Sequence, residues 1–278
     1  MLYLVATPIG NLGDISARAA QTLTEVDFIA AEDTRVTRKL LEHLGIKKQL
    51  VSYYEHNKRE SGEKIISRLL SGESCALVTD AGSPGISDPG EALVCLCIEA
   101  GVNIVSVPGP CAAVAALSLS GLSAGRFVFE GFLSTSKKSR FERLNELKTE
   151  RRTMVFYEAP HKLMRTLRDM LAVFGDRRVS ISRELTKLYE ETLRFTMSEA
   201  IDHFEQNTPR GEFVLIVEGA NENTAQDSSL EVATAVAKDY INKGLSVKDA
   251  VKNASDDTAV PKNALYKAIV GSFEVETR

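Results

Sequence analysis

Short apolar runs alternate with longer amphipathic stretches through residues 1–120. Leu2–Ala6, Val26–Ala31, Gln49–Tyr54, Ser74–Thr79 and Val102–Val107 read as buried strands. The intervening stretches predict helices from Ser16, from Asp33 or Thr34 to Leu44, over Lys58–Leu70, over Glu91–Ala100 and over Cys111–Ser120. Strand and helix in strict alternation imply a mainly parallel sheet covered by helices. Strands are then predicted at Phe127–Phe132, Thr153–Tyr157, Val179–Ser182, Glu191–Thr196 and Glu212–Val217, with helices at Lys137–Lys148, Pro160–Phe174 and Ser198–Gln206. Their hairpin-like order suggests a mixed sheet. Residues 221–229 are polar without periodicity and read as a linker. Beyond them Leu230–Ile241, Val247–Asn253 and Lys262–Val270 have helical patterns, separated by Gly244 and a turn at Ser255-Asp256-Asp257. The expected organisation is an α/β domain over 1–121, a second over 122–220, the linker, and a helix-turn-helix-like extension over 230–278.

The punctuation between runs carries the chemistry. Asp80–Gly90 reads DAGSPGISDPG, a Gly- and Pro-bearing segment between a strand and a helix. It is longer than the usual ~2–6 residues of such a connection, and Asp88-Pro89 reads as a helix cap followed by a first-turn proline. Thr7–Asp14 and Pro108-Gly109-Pro110 are further loops at strand ends. None matches the GxGxxG dinucleotide fingerprint. Three such loops at the carboxyl edge of one sheet line one cleft, suited to holding a polar small molecule by its backbone. The small residues Ala112, Ala113, Ala115 and Ala116 let the following helix approach its neighbours closely.

Composition adds limits. The 278 residues, 44% hydrophobic and 26% charged, describe an ordinary globular protein. The amino-terminal MLYLVATPIG lacks a signal peptide's basic region, and no apolar stretch approaches a membrane span. Cys75, Cys95, Cys97 and Cys111 form no CxxC pair and read as reduced thiols of a cytoplasmic protein. The histidines show no metal-ligand spacing, so no metal is expected. A net charge of −4 argues against a nucleic-acid coat, but basic residues cluster at Arg35, Arg38 and Lys39 and again between Lys137 and Arg152. An acidic protein with basic patches on one face can bind RNA.

ATPIGNLGDIS at 6–16, AEDTR at 31–35, TDAGSPGISDPG at 79–90, VPGP at 107–110, EGFL at 130–133, FYEAPHK at 156–162 and SREL at 182–185 resemble the ribosomal RNA small subunit methyltransferase I family. That family is the RNA-modifying branch of the tetrapyrrole methylase superfamily. The resemblance covers about residues 1–220, and the C-terminal helical unit resembles the family's extension. It implies two α/β domains of tetrapyrrole methylase type (class III methyltransferase) with a small C-terminal helical extension. It also implies S-adenosylmethionine as donor, 2′-O-methylation of a cytidine in 16S rRNA, the rRNA or the 30S subunit as partner, and a homodimer. Motif position assigns donor binding to Pro8, Gly82, Ser83, Gly85, Ile86, Cys111, Ala112, Tyr157, Glu158, Leu185, Gly211 and Glu212.

A ribose hydroxyl is a poor nucleophile at neutral pH, so a nearby base is expected. Asp80 and Asp88 are the candidates, with Lys187 behind them. Arg35, Arg38, Lys137, Lys138 and Arg140 are the candidate RNA contacts. Competing readings are a methylase acting on a tetrapyrrole or other small acceptor, and an RNA-binding scaffold without turnover.

Overall fold

In the computed structural model, which describes residues 1–220, 222–258 and 260–275, the runs of the first half become β1 (Leu2–Val5), β2 (Phe28–Ala31), β3 (Gln49–Ser52), β4 (Cys75–Val78) and β5 (Ile104–Val107). They form a 5-stranded sheet, order β3-β2-β4-β1-β5, parallel throughout. Between them lie α1 (Ala17–Glu25), α2 (Thr34–His43), α3 (Lys58–Leu70) and α4 (Gly90–Glu99), and α5 (Ala112–Leu119) follows β5. Period-2 alternation sends side chains to two apolar layers. Leu2, Phe28, Ala30, Cys75 and Leu77 meet Ile65, Leu69, Leu93 and Cys97 of α3 and α4. On the other face Val5, Ile29, Ala31, Ala76 and Val78 meet Ala19, Leu23 and Leu41 of α1 and α2. A sheet covered on both faces needs uninterrupted apolar strands, and β2 and β4 are buried at every position.

The second sheet uses β6 (Phe127–Phe132), β7 (Thr153–Glu158), β8 (Arg178–Arg183), β9 (Glu191–Thr196) and β10 (Phe213–Val217), in the order β6-β7-β10-β8-β9. It is mixed: β6 and β7 run parallel, and β10 runs against both β7 and β8. Its helices are α6 (Lys137–Leu147), α7 (Pro160–Phe174) and α8 (Met197–Gln206), the last opened by a capping box of Thr196 and Glu199.

Helix α5 joins the sheets. It leaves β5 of the first, yet Ala113, Ala116 and Leu117 pack on Val155, Val214 and Ile216 of the second. Small side chains allow that approach. The chain divides into two compact units, residues 1–143 with 153–218 and residues 144–152 with 219–278. The expected division at 121/122 runs between the two sheets, inside the first unit.

In the second unit, α9 (Glu222–Asn242), α10 (Val247–Thr258) and α11 (Lys262–Val275) surround a core of Ala233, Ala237, Val251, Ala254, Leu265 and Ile269. Two expectations are corrected. The polar segment read as a linker is helical from Glu222, as the first part of the same helix that carries the pattern from Leu230. The turn placed at Ser255-Asp256-Asp257 is also helical. The Ser255 hydroxyl donates to the Val260 carbonyl at 2.6 Å, and helix α10 continues to Thr258. Asn221, Ala259 and residues 276–278, parts of the expected linker and extension, lie outside the described residues.

Ala116 is fully buried in the α5 interface. Ala116→Leu is expected to overpack it and cost about 1–3 kcal/mol, seen as a lower urea midpoint at unchanged slope. An unchanged midpoint would show that the interface is loose.

Candidate active site

Parallel pairing brings the carboxyl ends of β1, β2, β4 and β5 to one edge, and three loops there are tied into one wall. Thr7 N–H donates to the Gly82 carbonyl at 2.9 Å and Gly82 N–H returns to the Thr7 carbonyl at 3.1 Å, an isolated antiparallel bridge. The Ser83 hydroxyl donates to the Pro110 carbonyl at 3.2 Å, which joins the β4 loop to the β5 loop. Gly82 holds φ +86° and Gly85 φ +85°, a region open to glycine and costly to other residues. A Cβ on Gly90 would stand 2.7 Å from the Gly85 nitrogen, so the loop folds back against a residue that must lack a side chain.

The opposite wall comes from the second sheet. Tyr157 and Glu158 end β7, Ser182 lies near the end of β8, and Phe213 and Val214 begin the antiparallel β10 at the same edge. Between the walls is a cleft of about 450 Å³, within the size range of small-molecule sites. Of the expected donor residues, Gly82, Ser83, Ile86, Cys111, Ala112, Tyr157, Glu158, Leu185 and Glu212 line it. Pro8, Gly85 and Gly211 do not. Ile9, rather than Pro8, is the lining residue of the first loop, while Gly85 shapes its loop and Gly211 leaves room for Glu184, whose side chain would lie 2.6 Å from a Cβ there. Glu158 is buried: one oxygen accepts the Ala159 N–H at 2.8 Å and the other the Thr166 hydroxyl at 2.5 Å. Tyr157 accepts the Ala113 N–H at 3.2 Å, and burial pushes its phenol up to about 12. It holds α5 to the second sheet and stays protonated.

Three further carboxyl groups line the cleft: Glu32, Asp80 and Asp88. Glu32 was not singled out by sequence, although it sits in the AEDTR motif directly after a strand, the position that marked the other loops. Asp80 is exposed; its Oδ1 accepts the Asp33 N–H at 3.0 Å, and its own N–H donates to Glu32 at 3.4 Å. These bonds make Asp80 a link between the β2 and β4 loops. Burial raises the pKa of Glu32, assisted by the neighbouring charges of Asp80 and Asp33. Asp88 is half-buried, and its carboxyl has no hydrogen-bond partner among the described residues. Burial first, then the charges of Glu32 and Asp80, push it up to about 7. The capping role expected of Asp88 is corrected: α4 starts at Gly90 and its cap position is Pro89, without a side-chain bond. Ser87, at φ 65°, turns the chain before the helix begins.

Two other candidates take different roles. Lys187 donates to Glu184 at 2.9 Å and to Glu212 at 3.0 Å. Burial opposes its charge, but these bonds prevail and raise its pKa, so it is a fixed cation and a poor base. Its segment holds Glu184 (φ 51°) and Thr186 (φ 66°) in left-handed conformations, and a Cβ on Gly10 would meet its side chain at 2.5 Å. Lys187 thereby anchors the loop that places Leu185 in the cleft. Arg140 is 2% exposed, ion-paired with Asp169 at 2.7 Å and bonded to the carbonyls of Ser134 and Thr135. Buried in this way, it is a structural residue and no RNA contact. Arg35 and Arg38 are exposed in the first half of α2, and Lys137 and Lys138 at the start of α6, where Lys138 lies 3.9 Å from Glu142. Arg35 pairs with Asp33, which it holds down at about 2, whereas Arg38 makes no ion pair among the described residues. Among the described residues no His, Cys, Asp and Glu cluster could hold a metal ion, and no helix is long and apolar enough to cross a membrane.

Residues 1–201 match the family model "Tetrapyrrole (Corrin/Porphyrin) Methylases". Over 277 residues the chain is 46% identical to the ribosomal RNA small subunit methyltransferase I of Synechocystis sp., covering 99% of this chain and 98% of that one. The proteins of the same name from Halalkalibacterium halodurans and Bacillus subtilis are 50% and 48% identical, covering 95% and 96% of this chain and 93% of each relative. The chain belongs to the ribosomal RNA small subunit methyltransferase I family of tetrapyrrole methylases. Solved structures share the fold of these methylases at low identity. A diphthine synthase aligns with TM-score 0.60 and 14% identity over 80% of this chain and 92% of that one. A cobalt precorrin-4 methyltransferase aligns with TM-score 0.57 and 17% identity over 78% and 94%.

Tetrapyrrole methylases use S-adenosylmethionine, and the cleft suits that molecule. Apolar Ile9, Ala112, Leu185 and Val214 match an adenine, carboxylates match ribose hydroxyls and a cationic sulfonium, and side-chain-free Gly82 lets the backbone approach. Gly82→Ala forces the left-handed conformation on a residue that resists it, at about 1–2 kcal/mol. Donor affinity measured by calorimetry is expected to fall about 5- to 30-fold. Unchanged affinity would mean that the Thr7–Gly82 bridge does not shape the donor site.

Proposed function

We propose that this protein transfers a methyl group from S-adenosylmethionine to the ribose 2′-hydroxyl of a cytidine in 16S rRNA. The observation that carries the mechanism is Asp88, a half-buried carboxyl without a partner, poised at about 7 in the cleft. The near-full-length relatives named for small-subunit rRNA methylation supply the substrate class.

When bound, the donor supplies an electrophilic methyl on a good leaving group. The chain's own task is alignment and proton removal. The tied loops and Tyr157 keep both walls fixed, and alignment of this kind contributes up to ~7–11 kcal/mol. Asp88 takes the hydroxyl proton as the oxygen–carbon bond forms and the carbon–sulfur bond breaks. A base whose pKa lies near the working pH is both ionised and basic enough to act, worth about 10²–10⁴-fold. Asp80, engaged with Asp33, assists by charge: with Glu32 it keeps the Asp88 pKa raised.

The exposed cations of α2 and α6 follow β2 and β6; Glu32, directly after β2, and Phe132, at the end of β6, line the cleft. On this reading Arg35, Arg38, Lys137 and Lys138 hold phosphates around an entering strand. A homodimer in the cytoplasm completes the reading; the cysteines, all free thiols, suit a reducing compartment.

Labelled donor incubated with small ribosomal subunits, naked rRNA or tetrapyrrole-precursor extract tests the reading. Label in RNA is expected; label in a small molecule, or none, would overturn it. In the same assay kcat/KM is expected to fall about tenfold per pH unit below about 7, because only ionised Asp88 accepts the proton, and to level off above. Asp88→Asn should lose about 10²–10⁴-fold activity and that pH dependence. A retained profile would assign the base elsewhere. Replacing Arg38, Lys137 and Lys138 by Glu should weaken RNA binding and make its log–log salt slope shallower by about 2, with donor affinity unchanged. An unaltered slope would place the phosphates elsewhere.

A further inference from the structure

Phe132 ends β6, lines the cleft and is 58% exposed. Neither a strand end nor a core position needs a phenyl ring facing water. Its ring stands 5.5 Å from that of Tyr157, tilted by 58°, and Phe129 packs edge-on to the same tyrosine at 5.2 Å. Tyr157 is fixed by its bond to Ala113. Phe132 is therefore backed by rigid aromatics on one side and open on the other.

The catalytic loop reaches the same place. The β6 strand bulges between Phe129 and Gly131, with Gly131 at φ 62°. A Cβ on Gly131 would stand 3.0 Å from Ser87 Oγ. Ser87 precedes Asp88, and Gly131 precedes Phe132. The open ring and the poised carboxyl thus flank one contact between the loop and the strand.

We infer that Phe132 is the stacking platform for the base of the nucleotide being methylated. The inference rests on the proposed RNA reading. A ribose can reach a base inside a cleft only if its nucleotide leaves the surrounding stack, and an extruded base is held on an aromatic face. The donor's adenine has deeper apolar surfaces in buried Leu185 and Val214. The exposed ring at the lip meets what arrives from solvent. Stacking on Phe132 sets the base, and with it the attached ribose, beside Asp88.

The full chain with labelled donor and small ribosomal subunits tests this. Phe132→Ala is expected to lower kcat/KM for RNA about 5- to 160-fold, the range for loss of one base–aromatic stack, with the donor dissociation constant within about twofold of wild type. Phe132→Trp and Phe132→Tyr should restore activity. Phe132→Leu, which keeps an apolar side chain without a π-face, should not. Equal activity of the Ala or Leu variant and wild type would overturn the inference, as would a parallel loss of donor affinity, which would give the ring to the donor. Absence of RNA methylation by the wild-type protein would instead overturn the underlying reading, and this inference with it.

Discussion

The site depends on the pair of backbone hydrogen bonds between Thr7 and Gly82. Each partner belongs to a loop leaving a different strand of a parallel sheet, and such loops have no ladder of their own to hold them. The bridge turns two independent connections into one surface, and Ser83 with Pro110 adds the third. It forms because Gly82 accepts φ +86°, a conformation that bars most side chains. Rigidity at this edge fixes the segment from Gly82 to Gly90, and the environment of Asp88 follows from it. A carboxyl on a mobile loop would find water and titrate as an ordinary aspartate. Held half-buried beside Glu32 and Asp80, it is kept near 7.

The second constraint is the way the sheets are joined. Helix α5 follows the first sheet in sequence but packs on the second, with Tyr157 fixing its amino end. The two walls of the cleft therefore share one structural member. Lys187 adds another tie, holding Glu184 and Glu212 together while its stem lies on Gly10 of the first loop. A residue suited by type to proton transfer is here a brace, because two carboxylates hold its charge.

Much of the fold was legible in the sequence because its signals are local. Apolar runs mark β1 to β5, those of β1, β4 and β5 ending in Gly- and Pro-bearing loops, and a strand–helix alternation constrains the sheet to be parallel. The Ala-rich stretch correctly signalled close approach, but nothing local shows which sheet α5 meets. Arg140 lies in a basic run that looks solvated; its burial depends on Asp169, on another helix. Asp88 obeys a helix-cap rule in sequence, yet the left-handed turn at Ser87 moves it off the cap and into the cleft. The loops that line the site were legible from strand-end position, whereas the surroundings of Asp80, Asp88 and Lys187 depend on Asp33, Glu32 and Glu212, distant in the chain.

The proposed base is a carboxyl that the fold prepares before any substrate binds. A carbon-13 NMR titration of the side-chain carboxyl of Asp88 in the free protein, assigned with Asp88→Asn, measures it directly. The expected midpoint is about 7, falling toward the ordinary range when Glu32 is replaced by Gln. A midpoint near the unperturbed aspartate value of about 4 would contradict it.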